Sequence, residues 1–294
     1  MRVVLTVHMK SIFILAVATC IASTLHGAET KPLRVLLITG GCCHDYKSQK
    51  ELLKKGLEAS ANIEVTQIHS DSGSTKPPLQ ILGNPEYAKG FDLVIHDECG
   101  ADINDPETIK GVLKPHADGI PGVNLHCAMH SYRIGNPGQK AEAGSERALW
   151  FDYLGLQSSG HGPQEPIAIT FTDDSSPITR GLTNWTTIKE ELYNNVYIHE
   201  GTRPLARGKQ TVHTKKKDAD GKETVVDKDT EFVVIWTNEY GAKKTRVFNT
   251  TIGHNNATVT DPRYVDLITR GVLWACGKLD SNGKPMAGYG PKAL

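Results

Sequence analysis

Five apolar runs of this chain each end in a histidine: RVLLITGGCCH (34–44), VTQIH (65–69), DLVIH (92–96), GVNLH (122–126) and RVFNTTIGH (246–254). A stretch such as Arg34–Thr39, apolar without alternation, is what a strand covered on both faces looks like. Helical periodicity fills the gaps. Leu52, Leu53, Leu57 and Ala61 share one side of 48–61. Asp105-Pro106 and Asp261-Pro262 open two more helices, with Asp as N-cap and Pro at the first helical position. Strand and helix alternating in this way indicate βαβ units and a parallel sheet. In such sheets ligands bind outside the carboxyl ends of the strands. Any one of these histidines is best read as a strand cap or a satisfied core group. As a set, they point to a shared cleft.

The 33 basic and 33 acidic side chains cancel, so no basic field exists to attract nucleic acid. Arg2 and Lys10 precede an apolar stretch, Ser11–Ser23, and small residues follow near Ala28. This is the layout of a secretory signal peptide over 1–28, too short in its core to span a bilayer. Export is expected, to the periplasm or the exterior, with no membrane association after cleavage. The long basic region makes Met9 an alternative start, and Thr19 before Cys20 argues against a lipoprotein. Cys42, Cys43, Cys99, Cys127 and Cys276 remain, an odd number without framework spacing. A bridge among Cys42, Cys99 and Cys127, all at strand ends, stays open.

The expected fold is a single α/β domain over 29–279, flavodoxin-like, with a mostly parallel central sheet and helices on both faces. Trp150–Leu156 is expected to dock on the sheet edge, and SSPITRGL (175–182) to form a turn and a short helix. Gln210–Asp229 reads as an exposed charged hairpin around the DADG turn at 218–221. That turn lacks the ligand spacing and terminal Glu of a calcium loop. The tail, 280–294, is polar and expected to be loose.

Candidate chemistry lies where strands end. TGGCCHDY (39–46) has two glycines for a tight turn but is neither a dinucleotide fingerprint nor a P-loop, so no nucleotide is expected. His44 and Asp45 would face the cleft, the competing reading being an Asp that caps a helix. HDECG (96–100) places Asp97 at a strand exit, where it could bind sugar hydroxyls or orient an imidazole. In HCAMHS (126–131) a strand-to-helix turn suggests a nucleophile elbow, but the glycines that would frame Cys127 are missing. His126 as acid/base group or ligand is favoured over Cys127 as a thiol nucleophile. His254 ranks beside it. Glu191, in IKEELYNN, would supply the carboxylate that proton transfer or metal binding needs beside imidazoles. His161, between glycines, suits a loop packing over a ligand. His116, His199 and His213 are assigned to the surface.

Together these segments resemble the trehalose-utilisation (ThuA-like) family, whose fold is like that of class I glutamine amidotransferases. The resemblance covers about Arg34 to Leu279. It is carried by TGG-x-x-HDY, GVNLHCA, WFDYLGL leading to GHGP, SSPITRGL, EELY and RVFNTTIGHN before DPRY. It implies a cleft of His44, His126, His161, Glu191 and His254, and a role in the catabolism of sugars, in particular oxidised (keto) disaccharides. The chain departs from the family at Cys42-Cys43 and Cys127, where small residues are more usual, at Lys189-Glu190-Glu191, and at the charged hairpin. The resulting expectation is a hydrolase or lyase acting on a small carbohydrate. His126, His254 and Glu191 would be its catalytic groups, or the ligands of one divalent metal. His44, Asp45, Asp97 and His161 would contact substrate. The alternatives are a non-catalytic carbohydrate-binding protein and a thiol hydrolase using Cys127. Homo-oligomerisation is left open.

Overall fold

The computed structural model describes residues 2–3, 30–217 and 223–292. The expected signal peptide and the DADG turn lie outside the described residues, apart from Arg2 and Val3. Among the described residues, no helix is long and apolar enough to cross a membrane.

One nine-stranded sheet organises the chain. Its parallel half consists of β1 (Leu33–Gly41), β2 (Ile63–Ser70), β3 (Leu93–Cys99), β4 (Gly122–Leu125) and β11 (Thr245–Thr250), in the order β2-β1-β3-β4-β11. This is the flavodoxin-like strand order, whose switch point falls between β1 and β3. The expected α/β class holds. Beyond β11 the sheet continues antiparallel through β10 (Glu223–Tyr240), β9 (Arg203–Lys217), β6 (His161–Phe171) and β7 (Trp185–Tyr193). A short pair, β5 (Leu156–Gln157) and β8 (Tyr197–Ile198), stands apart.

Helices cover both faces. On one lie α1 (Tyr46–Ser60), the single turn α4 (Asn256–Val259) and α5 (Pro262–Ala275). Leu53, Leu57, Leu267 and Val272 pack there on Val35, Leu37, Ile95 and Phe248. On the other lie α2 (Pro106–Ala117) and α3 (Leu149–Leu154), with Ile109, Leu113, Trp150 and Tyr153 over Leu36, Val94, Trp236 and Val247. Asp45, Asp105 and Asp261 each accept a backbone N–H of the helix they precede, as N-caps do.

Several expectations need correction. Trp150 to Leu154 do not dock on the sheet edge; they are a helix buried on its face, with Trp150 Nε1 donating to the Ala128 carbonyl. Residues 175–182 form turns without a helix. The expected charged hairpin is present as the outer part of β9 and β10, paired from Thr237↔Arg203 to Glu223↔Lys217 except for a local bulge. The tail is tied down: Asn62 donates to the carbonyls of Gly288 and Tyr289, and Tyr289 packs against the core.

The α5–sheet contact leaves no room for a side chain at Gly271. A Cβ there would stand 2.5 Å from the Phe248 ring. Overpacking costs about 1–3 kcal/mol, against about 1 kcal/mol of helix propensity gained on replacing Gly by Ala. Gly271→Ala should therefore lower the urea midpoint. Gly111→Ala in α2, where a Cβ meets nothing within 4 Å, should raise it. Equal shifts from both would contradict this packing.

Candidate functional site

Three of the five strand-end histidines converge. His44 lies in the turn between β1 and α1. Gly40 (φ +127°) and Gly41 (φ +108°) make that turn, and a side chain at Gly41 would collide with the Cys99 carbonyl. His126 follows β4 directly with φ +42°, a left-handed conformation that a non-glycine residue adopts at a cost. His254 follows β11 past Gly253 (φ +133°). The carboxylate comes from the far side of the sheet, from Glu191 on the edge strand β7. Donor atoms of His44, His126, Glu191 and His254 all lie within 4.8 Å of one another.

Glu191 is the hub. Its Oε2 is 3.4 Å from Nε2 of His126 and 3.5 Å from Nε2 of His161, and its Oε1 is 3.3 Å from Nδ1 of His254. Burial pushes this carboxyl up, but hydrogen bonding from His126 and His254 and the charge of His126 and His161 outweigh it, and the group is held well below the carboxylate range. His44 is lowered to about 3, first by burial and then by His126 and His254, so it is a neutral imidazole. Glu191 raises His254 above its ordinary value. The Nδ1 of His126 is 2.6 Å from the Thr251 carbonyl. A ring nitrogen against a carbonyl carries a proton, and that bond turns Nε2 toward the cluster. The Nδ1 of His44 is buried without a hydrogen-bond partner, and buried polar atoms are rarely left so. Three neutral-capable imidazoles and one carboxylate therefore form a donor set that fits a divalent cation of the zinc type. Two of the four, His44 and His254, line a cleft of about 600 Å³ together with Cys43, Asp45 and Ile188.

The loop carrying His254 is shaped by the neighbouring carboxylate. Glu190 is fully buried and accepts the backbone N–H groups of Gly253, His254 and Asn255. Gln49 of α1 donates to the carbonyls of Gly253 and His254.

Of the residues expected at the site, His126, His254, Glu191 and His44 form the cluster, and His161 reaches it through Glu191. Asp45 sits on the cleft rim with its carboxylate engaged by Ser48 N and Asn256 Nδ2, a helix cap. Asp97 is not an open contact. The third strand runs on to Cys99, past its expected end at His96, and all seven of its residues are buried. Burial and the neighbouring Glu98 push the Asp97 carboxyl well above its ordinary value. His96 leaves the site for the same reason and enters a core network: its Nδ1 is 2.7 Å from Glu98 and its Nε2 3.1 Å from His116. His116, assigned to the surface, is thus fully buried. His199 is largely buried beside Asp152, whereas His213 is exposed. His69 ends β2 against Thr39, away from the cluster. Cys127 is buried, and its thiol is pushed up by hydrogen bonding to Cys99 and by burial, which disfavours the thiolate a nucleophile needs.

Sequence reading missed Gln164, Tyr193 and His130. Gln164 Nε2 is 2.8 Å from Nε2 of His254 and 3.3 Å from Glu191 Oε1. Tyr193 stands 3.3 Å from Nε2 of His126, and the His130 ring stacks on it at 4.1 Å. A signal existed for Tyr193, which lies two residues after Glu191 and so on the same strand face. Gln164 required the register Gln164↔Glu191.

A family model described as ThuA, trehalose utilisation, matches residues 34–275. No curated protein matches the sequence. Among solved structures, a ThuA-like protein from Parabacteroides merdae superposes with a TM-score of 0.58 at 21% identity, covering 89% of this chain and 98% of its own. A ThuA-like protein from Bacteroides uniformis superposes with a TM-score of 0.54 at 14% identity, covering 86% and 95%. At these identities the two likenesses speak for the fold.

The loop geometry makes a direct prediction. Glu190→Gln keeps the shape but turns an amide N–H₂ toward backbone N–H donors. Hydrogen bonds to a buried charge contribute about 1.5–3 kcal/mol each, so a loss of about 2–4 kcal/mol by urea unfolding is expected. Hydrogen exchange at residues 253–255 should accelerate; unchanged exchange there would contradict the role given to Glu190.

Proposed function

The chain belongs to the ThuA family, a family of trehalose utilisation, and from that membership we propose that it is an exported enzyme that cleaves a sugar or keto-sugar, as a hydrolase or lyase, in the cleft over His44, His126, Glu191 and His254. Membership ties the chain to carbohydrate utilisation. The observation that supports the finer reading is the donor cluster itself, three imidazoles around one carboxylate, with two of the imidazoles lining a cleft of sugar size. The apolar N-terminal stretch supports export, as does the disulfide between Cys42 and Cys43, since such bonds persist in oxidising compartments.

A divalent cation held by His44, His126, Glu191 and His254 would polarise a sugar carbonyl or lower the pKa of a bound water. The chain's own groups do the rest. Thr251 orients His126 so that Nε2 is the reactive nitrogen. Gln164 and Glu191 hold the His254 ring from two sides. His161, partly exposed and 3.5 Å from Glu191, is placed to exchange a proton with a substrate oxygen at the cleft edge. Ile188, half exposed at the same edge, offers an apolar surface to the C–H face of a sugar ring.

The test is elemental analysis of protein purified without chelator or affinity nickel, followed by turnover of a panel of disaccharides and their keto derivatives. About one equivalent of a divalent metal is expected, lost in His126→Ala and Glu191→Gln with the circular dichroism unchanged. Turnover should fall by about 100-fold or more in His126→Ala, the scale of a lost acid/base group. Normal turnover in His126→Ala would sink the reading. Tight sugar binding without product would replace it with a non-catalytic binding role.

A further inference from the structure

Four sulfurs gather beside the imidazole cluster. Cys42 and Cys43 are joined as a disulfide between sequence neighbours. The Sγ of Cys42 is 3.5 Å from the Sγ of Cys99, and the Cys127 thiol is hydrogen-bonded to Cys99. Cys99 and Cys127 are free and buried. The Sγ of Cys43 also lies within 4.8 Å of that of Cys99, and Cys43 is exposed and borders the cleft.

We propose that this group of sulfurs is a second chemically active site, a thiol–disulfide exchange centre that transfers the disulfide from Cys42–Cys43 to Cys42–Cys99. Once the Cys42 side chain has turned to bring the three sulfurs into line, the Cys99 thiolate attacks the Sγ of Cys42. As the Cys99–Cys42 bond forms, the Cys42–Cys43 bond breaks, and its electron pair leaves on Cys43, which takes up the proton that Cys99 gave to solvent. The step is an isomerisation and needs no outside oxidant or reductant. Exchange of this kind proceeds by direct attack of a thiolate on a disulfide sulfur, and Cys99 is the free thiol in contact with the disulfide.

Two features favour this direction. Gly41 pairs with Cys99 in the parallel ladder, so the backbone itself brings residue 42 to residue 99. The product also joins residues 57 apart in sequence, tying β1 to β3, whereas a bond between neighbours closes only the small ring through one peptide bond. A cross-link over a longer loop restricts the unfolded chain more, so the exchanged form resists unfolding better. Exchange leaves a free Cys43 thiol at the cleft edge beside His44, open to small thiol-reactive compounds. The site goes beyond the carbohydrate reading and does not depend on it.

The experiment maps disulfides in the native protein. Protein purified without reductant is held at pH 8.5, alkylated with N-ethylmaleimide while folded, digested with pepsin in acid and analysed by mass spectrometry. A fraction with Cys43 alkylated and Cys42 linked to Cys99 is expected. That fraction should be absent in Cys99→Ser and Cys99→Ala and still form in Cys127→Ser, and it should melt above the unexchanged protein. Cys43 unalkylated throughout, or alkylated equally without Cys99, would overturn the proposal. Should neither Cys99 variant fold, the parent protein decides alone: a peptide linking Cys42 to Cys99 supports the proposal and its absence overturns it.

Discussion

A carboxylate that water does not reach holds this cleft together. Glu190 takes three consecutive backbone N–H groups of the loop after β11, and that loop can present His254 only while those bonds last. A charge so buried is stable only when fully hydrogen-bonded. Strand alternation then gives its neighbour the opposite task. Glu191 points to the other face and collects the imidazoles. Two adjacent glutamates on one edge strand thus carry the frame and the chemistry, and the pleat keeps the two roles apart.

A second constraint lies where the parallel half of the sheet meets the antiparallel half. Asn124 of β4 donates to Asn249 of β11, Asn249 donates to Asn238 of β10, and Asn238 donates to the Tyr153 carbonyl of α3. A ladder of buried amides forms in one register only, because a slip would break its cross-strand bonds. It fixes how β10 and β11 sit, and with them the distance from Glu191 to His126.

The parallel half was legible from sequence because strands covered on both faces leave unbroken apolar runs, as 34–39 shows. Three of the four cluster residues stand at the ends of such runs, so His44, His126 and His254 could be named without coordinates. Where polar side chains lie inside a strand the reading stopped early. His96, Asp97 and Glu98 looked like an exit loop because buried ionisable groups are rare, yet His96 and Tyr132 both bond Oε1 of Glu98. His116 was misplaced for the same reason, since its partners come from β3 and α3. The antiparallel half was harder. Its strand β6 begins with the exposed segment GPQEP, which has turn composition and becomes a strand only because β7 pairs with it. Glu191 was recognised as a useful carboxylate, but its meeting with the imidazoles is a matter of tertiary register.

The four donors come from four separate segments: the turn after β1, the end of β4, the edge strand β7 and the loop after β11. Three belong to the parallel half and one to the antiparallel half. The unfolded chain holds no such arrangement, so whatever binds all four adds its binding free energy to folding by mass action. Occupancy of the cleft is therefore coupled to cohesion across the whole width of the sheet. The edge strand, which has a neighbour on one side only, would tighten most when the cleft is filled and loosen first when it empties.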